Sequence, residues 1–285
     1  MPIFYIFYIL PWYYSSALAR GLSSFFITWI TSFKLLLFSF HQGTLVSPKN
    51  YIDFAMVAVF PLKMKEKLYS PPSPNPKLVP GFVPPILILL ITFYTNSTIF
   101  LRALALALVL YIVFTSSNGE TLCRYELLQL FNHPYLATSV QEFWGRRWNR
   151  MSSNILRQTV YEPTLHCLKG TVGVGPAKVV ATITTLVVSG IMHELMFYHI
   201  TCGMKPTWEV TWFFVLHGFC MVVETGLKHL ARVKGWPSVK PAVLIVWTVG
   251  FACLTSYWLL VLPVWRSTQL TQCSAGSPNI HAFNR

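Results

Sequence analysis

The sequence predicts an all-α membrane protein, a polytopic helical bundle of about seven to nine membrane segments around a cavity that opens to the cytosol. Charged residues make up 11% of the chain, whereas an ordinary soluble domain has about 25%. Three uncharged runs, 81–101, 103–119 and 241–265, are long enough to cross a bilayer, because a spanning helix needs about 20 mostly apolar residues. We therefore expect a chain that lies in a membrane.

Shorter apolar runs complete the predicted bundle. They cover residues 1–19, 21–37, 179–191 and 210–223. The first run ends in small residues that resemble a signal-peptidase site, but no Lys or Arg precedes Arg20, whereas a signal peptide has a basic region before its apolar core. We interpret the first run as a retained membrane segment.

The basic residues of the chain are grouped. The formal net charge is +13, and positive charge collects in the cytosolic loops of membrane proteins. When the three basic groups are placed on one face, the spans between them come in pairs. The charge therefore indicates topology and not a nucleic-acid partner. The groups are Lys63, Lys65, Lys67 and Lys77; Arg146, Arg147, Arg150, Arg157 and Lys169; and Lys228, Arg232, Lys234 and Lys240.

The connections between the spans differ in character. The stretch 61–80 is basic and rich in proline, which is typical of a stiff connection, and we place it in the cytosol. Residues 120–170 are too polar for a span and form an interfacial region. The sequence contains no internal repeat, and we expect one membrane-embedded domain over 1–285.

No metal site is expected. His193 and Glu194 begin like the H-E-x-x-H motif of zinc proteases, which places two histidines on one helix face. The next histidine, His199, follows six residues after His193 and lies about 240° round a helix. The six cysteines contain no C-x-x-C pair and predict no disulfide framework.

The interfacial region contains a candidate amphipathic helix. Trp144, Trp148, Met151 and Ile155 recur at the spacing of one helix face, and a basic helix with tryptophans is typical of a bilayer interface. An alternative is that this helix caps a cavity. In that case Arg146, Arg147 and Arg150 would face cytosolic phosphates, and Asn149 would point inward.

His193 is the unusual residue of the apolar run "VVATITTLVVSGIMHELMFYHI", residues 179–200. Small residues, Ser189 and Gly190, precede it and would let another helix or a ligand approach the backbone. His193 could be a core histidine bonded to a neighbouring helix. It could equally mark a functional site, because ionisable groups at membrane depth often do so. Both interpretations remain open at this point.

Several motifs together resemble the membrane-bound O-acyltransferases, and more narrowly the plant wax synthase group. The resemblance extends over residues 20–265. Its most specific part is the combination of two central motifs, each of which is weak alone. The motifs are "FWGRRWN" at 143–149, "VSGIMHELMFY" at 188–198, "SSFFITWITSFKLLLFSF" at 23–40, "FPLKMK" at 60–65 and "VYEPTL" at 160–165.

This resemblance implies a fatty acyl transfer from acyl-CoA to a lipid alcohol, a long-chain fatty alcohol or a sterol, in the endoplasmic reticulum membrane. His193 matches the family's catalytic histidine, and Asn149 matches its second functional residue. Acyl-CoA would be a co-substrate, and no cofactor is needed. We expect Glu194, which points about 100° away from His193 on a helix, to pack beside the site. The expected substrate-binding residues are Trp144, Arg146, Arg147, Trp148 and Arg150.

One departure from the family pattern leaves an alternative open. Members usually carry a further apolar segment before the "SSFF" motif, which this chain reaches at residue 23. The alternative is therefore a lipid carrier without catalysis, or an inactive truncated homologue. The residues do not indicate which alcohol is acylated, the length of the acyl chain or the oligomeric state.

Overall fold

A computed structural model describes residues 2–64, 125–127, 130–237, 239–263 and 265–266. Within these residues the protein is mostly helical, as predicted. The predicted spans 81–101 and 103–119 lie outside the described residues, and so does the proline-rich part of the 61–80 connection.

Ten α-helices are described. Helices α1 to α4 are Pro2–Ile9, Ala17–Ser23, Ser32–Ser39 and Tyr51–Val59. Helices α5 to α7 are Val140–Glu142, Arg150–Leu156 and Glu162–Leu168. Helices α8 to α10 are Val174–Ile200, Glu209–Lys234 and Pro241–Ser256. Wider π-helical turns cover Ser24–Thr31, Phe143–Arg147, Arg157–Tyr161 and Tyr257–Val261. Short 3₁₀ turns cover Leu10–Tyr13, Thr44–Val46 and Pro134–Leu136.

Four helical stretches of the described chain are long and apolar enough to cross a membrane. They are Ala17–Ser39, Val174–Ile200, Glu209–Lys234 and Pro241–Val261. Much of their surface is apolar and points outward; Val246 and Trp247, for example, are 73% and 74% exposed. A large apolar surface is unfavourable in water and is typical of a face that contacts lipid. The predicted membrane character is therefore confirmed, and the predicted number of seven to nine segments stays a prediction.

The chain divides into two compact units. One consists of Met1–Pro61 and Gln129–Arg285, and the other of Leu62–Leu128. The second unit contains a small antiparallel sheet of two strands, β1 at Leu62–Met64 and β2 at Tyr125–Leu127, in which Lys63 pairs with Glu126. The all-α prediction did not include these strands, although the described chain is mostly helical. The single domain over 1–285 stays a prediction.

A buried lysine connects two N-terminal helices. Lys34 lies in the span Ala17–Ser39 and is 3% exposed. Its Nζ donates to the carbonyl oxygens of Val57, at 2.6 Å, and Phe60, at 2.8 Å. The last carbonyls of a helix have no partner within the helix, and Lys34 supplies donors at the end of α4. This contact fixes α4 against the span that also carries Trp29.

Helices α8 and α9 approach each other closely at Gly190. A Cβ atom added to Gly190 would lie 2.9 Å from Thr211 Cα and 3.2 Å from the Thr211 carbonyl oxygen. Small residues permit such close helix packing in membranes, and the approach that Ser189 and Gly190 predicted is confirmed. The packing places the site-bearing half of α8 directly against α9.

Replacing Gly190 by alanine is expected to destabilise the protein by about 1–3 kcal/mol, the usual effect of an overpacked core. The new methyl group meets backbone atoms of α9, which a side-chain rotation cannot move aside. Thermal unfolding in detergent measures the effect. Gly226→Ala on α9 is the control, because its Cβ meets no atom within 4 Å. Equal melting temperatures for the two variants would contradict the prediction.

Candidate active site

A cavity of about 380 Å³ lies within the first unit, where α8 and α9 face the segment 141–161 and the Trp29 side of the N-terminal span. Its wall combines aromatic rings with hydroxyl and amide groups, and it contains one histidine and one arginine. Such a mixture suits an apolar ligand that carries a few polar atoms. The wall consists of Trp29, Gln141, Trp144, Gly145, Trp148, Asn149, Ser152, Ser153, Leu156, Arg157, Tyr161, Thr182, Thr185, Leu186, Ser189, His193, Phe214 and Met221.

Three π-helical turns contribute to this wall. The turn Ser24–Thr31 supplies Trp29, and the turn Phe143–Arg147 supplies Trp144. The turn Arg157–Tyr161 supplies its first and last residues, Arg157 and Tyr161. A π-helical turn widens the backbone and redirects side chains, and such turns occur frequently at functional sites. Part of the cavity wall thus lies where the regular α-helical spacing is interrupted.

His193 lies on the cavity wall in a fixed orientation. Its Nδ1 is 2.7 Å from the Ser189 carbonyl oxygen one turn earlier in α8. A carbonyl oxygen only accepts hydrogen bonds, so Nδ1 carries the proton and Nε2 of the neutral ring keeps its lone pair. The ring is held between Trp29 and Phe214, with ring centroids 4.8 Å and 4.4 Å away. The arrangement presents an oriented base nitrogen.

Asn149 lies on the same wall and is oriented by the backbone. It adopts the left-handed conformation, with φ 37° and ψ 61°, which asparagine tolerates better than most residues. Its Oδ1 accepts a hydrogen bond from the Ser152 N–H at 3.2 Å and so caps α6. The side-chain oxygen is therefore occupied, and the Nδ2 amide remains as the donor.

The same geometry corrects one prediction. The spacing of Trp144, Trp148, Met151 and Ile155 predicted one continuous amphipathic helix, and this prediction was wrong. Trp148 is extended, with ψ 130°, and Asn149 is left-handed, so the chain leaves one helical segment and starts another at this point. At this break Asn149 lines the cavity. In a continuous helix, Asn149 would instead be an ordinary helical residue whose backbone makes regular hydrogen bonds.

Both predicted tryptophans line the cavity. The Trp144 ring contacts Phe214 and His217, with centroids 5.4 Å and 5.6 Å away. Trp148 stacks on Phe143 at 5.5 Å with an interplanar angle of 14°. These contacts anchor the segment before Asn149 on α9 and place two large apolar surfaces beside the polar groups.

The predicted arginines do not gather at the cavity. Arg147 donates from Nε to Glu142 at 2.8 Å and from Nη1 to the carbonyl oxygens of Asn132 and His133. Burial by itself would raise the pKa of Glu142, but hydrogen bonds from Thr138 and the contact with Arg147 lower it. The charged pair therefore holds the loop before α5 in place. Arg146 and Arg150 are exposed and are not among the residues of the wall.

Arg157 is the arginine on the cavity wall, and sequence reasoning had assigned it only to a basic loop. The spacing of the wall residues along the sequence could have indicated that Arg157 faces the cavity. Counted from Asn149, the wall residues Ser152, Leu156, Arg157 and Tyr161 follow at i+3, i+7, i+8 and i+12, which is one helix face. A similar face of α8 carries Thr182, Thr185, Leu186, Ser189 and His193. Trp29 was also missed, and its distance along the chain left no local signal.

Glu194 holds the two long helices together next to His193. It is 6% exposed, and its Oε1 accepts from the Trp208 N–H at 2.9 Å. Its Oε2 accepts from the N–H and the hydroxyl of Thr211, at 3.2 Å and 3.3 Å. Unpaired N–H groups and the helix dipole favour a carboxylate at a helix N-terminus. These contacts let Glu194 position α9 against α8, and its expected place beside a catalytic site stays a prediction.

Two further histidines of the long helices, His199 and His217, are buried and have protein partners. His199 contacts Ser24 Oγ at 2.9 Å and the Tyr8 carbonyl oxygen at 3.1 Å. His217 contacts the Phe213 carbonyl oxygen at 2.8 Å and Thr255 Oγ1 at 3.4 Å. Among the described residues, no group of three His, Cys, Asp or Glu side chains could hold a metal ion.

Comparison with known proteins relates the site to a family. The family model described as "Membrane bound O-acyl transferase family" matches residues 127–216, a range that includes Asn149 and His193. Among curated proteins of Arabidopsis thaliana, the chain is 36% identical to acyl-CoA–sterol O-acyltransferase 1, over 91% of this chain and 79% of the relative. It is 35% identical to probable long-chain-alcohol O-fatty-acyltransferase 3, over 94% and 80%. It is 38% identical to probable long-chain-alcohol O-fatty-acyltransferase 6, over 91% and 78%.

Proposed function

Because the chain belongs to the membrane-bound O-acyltransferase family, we propose that it transfers a fatty acyl group from acyl-CoA to the hydroxyl of a lipid alcohol. The acceptor is a long-chain fatty alcohol or a sterol, and the product is a wax ester or a sterol ester. The observation that carries the proposal is the presence of His193 and Asn149 on the wall of one cavity. The names of the curated relatives support the same reaction.

In the proposed mechanism, His193 is the general base. The alcohol O–H donates to Nε2, and the alcohol oxygen attacks the carbonyl carbon of the thioester as its proton passes to the imidazole. A C–O bond forms, and the carbonyl oxygen becomes an oxyanion. The oxyanion then collapses and the C–S bond breaks. The imidazolium returns its proton to the CoA thiolate, so that CoA leaves as the thiol and the ester remains.

Asn149 stabilises the charge that develops in this reaction. Its Oδ1 is held by the Ser152 N–H, so the Nδ2 amide is free to donate to the carbonyl oxygen. A donor that is already oriented in a protected site lowers the barrier because it needs no rearrangement when the charge appears. The reaction needs acyl-CoA as co-substrate and no cofactor.

The surroundings of the two residues suit the two substrates. The aromatic rings of Trp29, Trp144 and Phe214 form an apolar surface for the acyl chain or the alcohol. A volume of about 380 Å³ lies within the range of small-molecule sites. The alcohol enters laterally from the bilayer, and the charged part of acyl-CoA lies toward the cytosol.

The proposed membrane arrangement has seven to nine segments in the endoplasmic reticulum, with the cavity opening to the cytosol. The basic groups of the sequence support the cytosolic side. Cys202 follows α8 and is disulfide-bonded, although the cysteine spacing predicted no disulfide framework. Disulfides persist in oxidising compartments such as the lumen of the endoplasmic reticulum. This supports a lumenal loop between α8 and α9, opposite the basic groups.

Arg157 is our first candidate for the contact with the phosphates of CoA. We expect Arg157→Ala to raise the KM for acyl-CoA by about 10-fold, because a charge-assisted hydrogen bond contributes about 1.5–3 kcal/mol. Its side chain is 68% exposed and its present partner is Glu162 at 3.0 Å, so a phosphate can replace that pair. Steady-state kinetics with varied acyl-CoA measure the effect, and Arg146→Ala is the matched control. A larger effect from Arg146→Ala would move the phosphate contact to the 146–150 cluster.

Ester formation in microsomes tests the proposed function directly. The protein is expressed in yeast cells that lack their own ester synthases, and labelled acyl-CoA is offered with a fatty alcohol or a sterol. Labelled ester from the wild type identifies the acyltransferase and its class of acceptor. If properly inserted wild-type protein forms no ester with either alcohol, the proposal fails in favour of a lipid carrier or an inactive homologue.

A further inference from the structure

The cavity wall contains buried polar atoms that lack partners. Among the described residues, Trp29 Nε1, Trp144 Nε1 and Ser152 Oγ are buried without a hydrogen bond, and all three residues line the cavity. A buried donor without a partner is costly, and native proteins rarely leave one without a reason. Three of them around one cavity point to a ligand that supplies acceptors.

Ser152 is the one of the three that adjoins Asn149, the proposed donor to the thioester carbonyl oxygen. Its backbone N–H donates to Asn149 Oδ1 at 3.2 Å, so its side chain lies one helical turn from the Asn149 amide. It is 6% exposed. The two indoles instead border aromatic rings: Trp29 contacts His193 edge-on at 4.8 Å, and Trp144 contacts His217 edge-on at 5.6 Å.

The isolation of the Ser152 hydroxyl is specific to this position. Hydroxyls in helices usually donate to a carbonyl one turn earlier, as Thr159, Thr182 and Thr185 do here. The adjacent Ser153 donates to the Trp144 carbonyl oxygen at 2.7 Å. Ser152 Oγ has no such partner among the described residues, and the residue four positions earlier, Trp148, is extended and not helical. The same break that turns Asn149 also leaves the Ser152 hydroxyl free.

We propose that Ser152 is the second hydrogen-bond donor to the thioester carbonyl oxygen, acting together with the Asn149 amide. This inference rests on the proposed function. As the oxygen gains negative charge, it accepts from both the Ser152 hydroxyl and the Asn149 Nδ2 group. Two donors that converge on one oxygen form an oxyanion hole, which stabilises the transition state more than the ground state. The proton of the hydroxyl stays on Ser152 throughout.

Ser152→Ala tests the assignment. The variant is expected to lower kcat for ester formation by about 10-fold to 100-fold, somewhat less than the loss of a principal oxyanion donor, and to leave the KM for acyl-CoA within about 2-fold. The melting temperature should stay the same or rise, because the substitution removes a buried hydroxyl without a partner. A loss of kcat without a loss of stability is a result that a structural role would not give.

Ser23→Ala is the matched control. Ser23 is buried, is not among the residues of the wall, and donates to the Arg20 carbonyl oxygen at 3.1 Å. Its replacement should lower the melting temperature and leave kcat unchanged. The proposal is overturned if Ser152→Ala keeps the wild-type kcat, or if its kcat and melting temperature fall together. Either result leaves the proposed function intact as long as the wild type forms ester. If the wild type forms none, both proposals fail.

Discussion

His193→Ala is expected to lower the rate of ester formation by about 10²–10⁴-fold, the usual contribution of a general base. Without the imidazole, the attacking alcohol must lose its proton to water or to a poorly placed group. The loss should lie in kcat, because His193 acts on the reacting hydroxyl and the acyl-CoA contacts remain. The measurement is initial-rate kinetics with saturating acyl-CoA and the acceptor found in microsomes.

Two further variants make this result specific. His193→Gln fills a similar volume between Trp29 and Phe214, and it should be nearly as inactive as alanine because an amide is not a base. His229→Ala, at an exposed position of α9, should retain wild-type activity at equal protein level. The general-base role is contradicted if His193→Ala retains more than about a tenth of the activity, below the smallest effect expected. It is also weakened if the variant loses acyl-CoA binding together with turnover.

The sequence predicted the long helices more reliably than the segment 144–155, which carries Asn149. The run around His193 is uncharged and long, and a membrane leaves few alternatives to a helix for such a run. The structure accordingly has α8 over Val174–Ile200. Residues 144–155 also had helical spacing, but the left-handed Asn149 interrupts the helix. Periodicity does not contain that information, because the conformation of one residue depends on its hydrogen bonds.

The distribution of charge in the sequence did not show which arginines stabilise the fold and which ones lie at the cavity. Arg146, Arg147 and Arg157 contribute equally to a basic region. In the structure, Arg147 is held by Glu142 at 2.7 Å, whereas Arg157 reaches the cavity. Arg157 also meets a carboxylate, that of Glu162, so the distinction depends on which side chain lies at the cavity after folding. The choice of His193 and Asn149 came from the family resemblance, and the structure adds that both line one cavity.

The role of Trp29 required three-dimensional information as well. The π-helical turn that carries Trp29 and the helix that carries His193 are far apart in the chain, but the two rings lie 4.8 Å apart. Ser24 and His199, 2.9 Å apart, join the same pair of helices nearer the end of α8. Trp29 of the N-terminal span is therefore part of the proposed site, where its ring helps to hold the base in place. Contacts of this kind leave no local pattern in a sequence.

Asn149 caps α6 through its side-chain oxygen and is proposed to donate from its amide to the carbonyl oxygen. Asn149→Asp separates these two roles, because the variant should keep the fold and lose most of the activity. Aspartate tolerates the left-handed conformation, and its carboxylate still accepts from the Ser152 N–H and caps α6. It has no N–H to donate, and its charge repels the developing oxyanion. We expect kcat to fall by about 10²–10³-fold, with a melting temperature equal to that of the wild type.

Asn149→Gly provides the complementary case. Glycine adopts the left-handed conformation at no steric cost, but it offers neither the cap nor the amide. Both variants should be inactive, and only Asn149→Gly loses the contact between the side chain and the Ser152 N–H. Activity would then follow the amide donor, and stability would follow the cap. If Asn149→Asp kept a kcat within about 3-fold of the wild type, far from the effect of a lost oxyanion donor, the cap would be the whole role of Asn149. Stabilisation of the carbonyl oxygen would then have to come from other donors of the wall, among them the buried groups without partners on Ser152, Trp29 and Trp144.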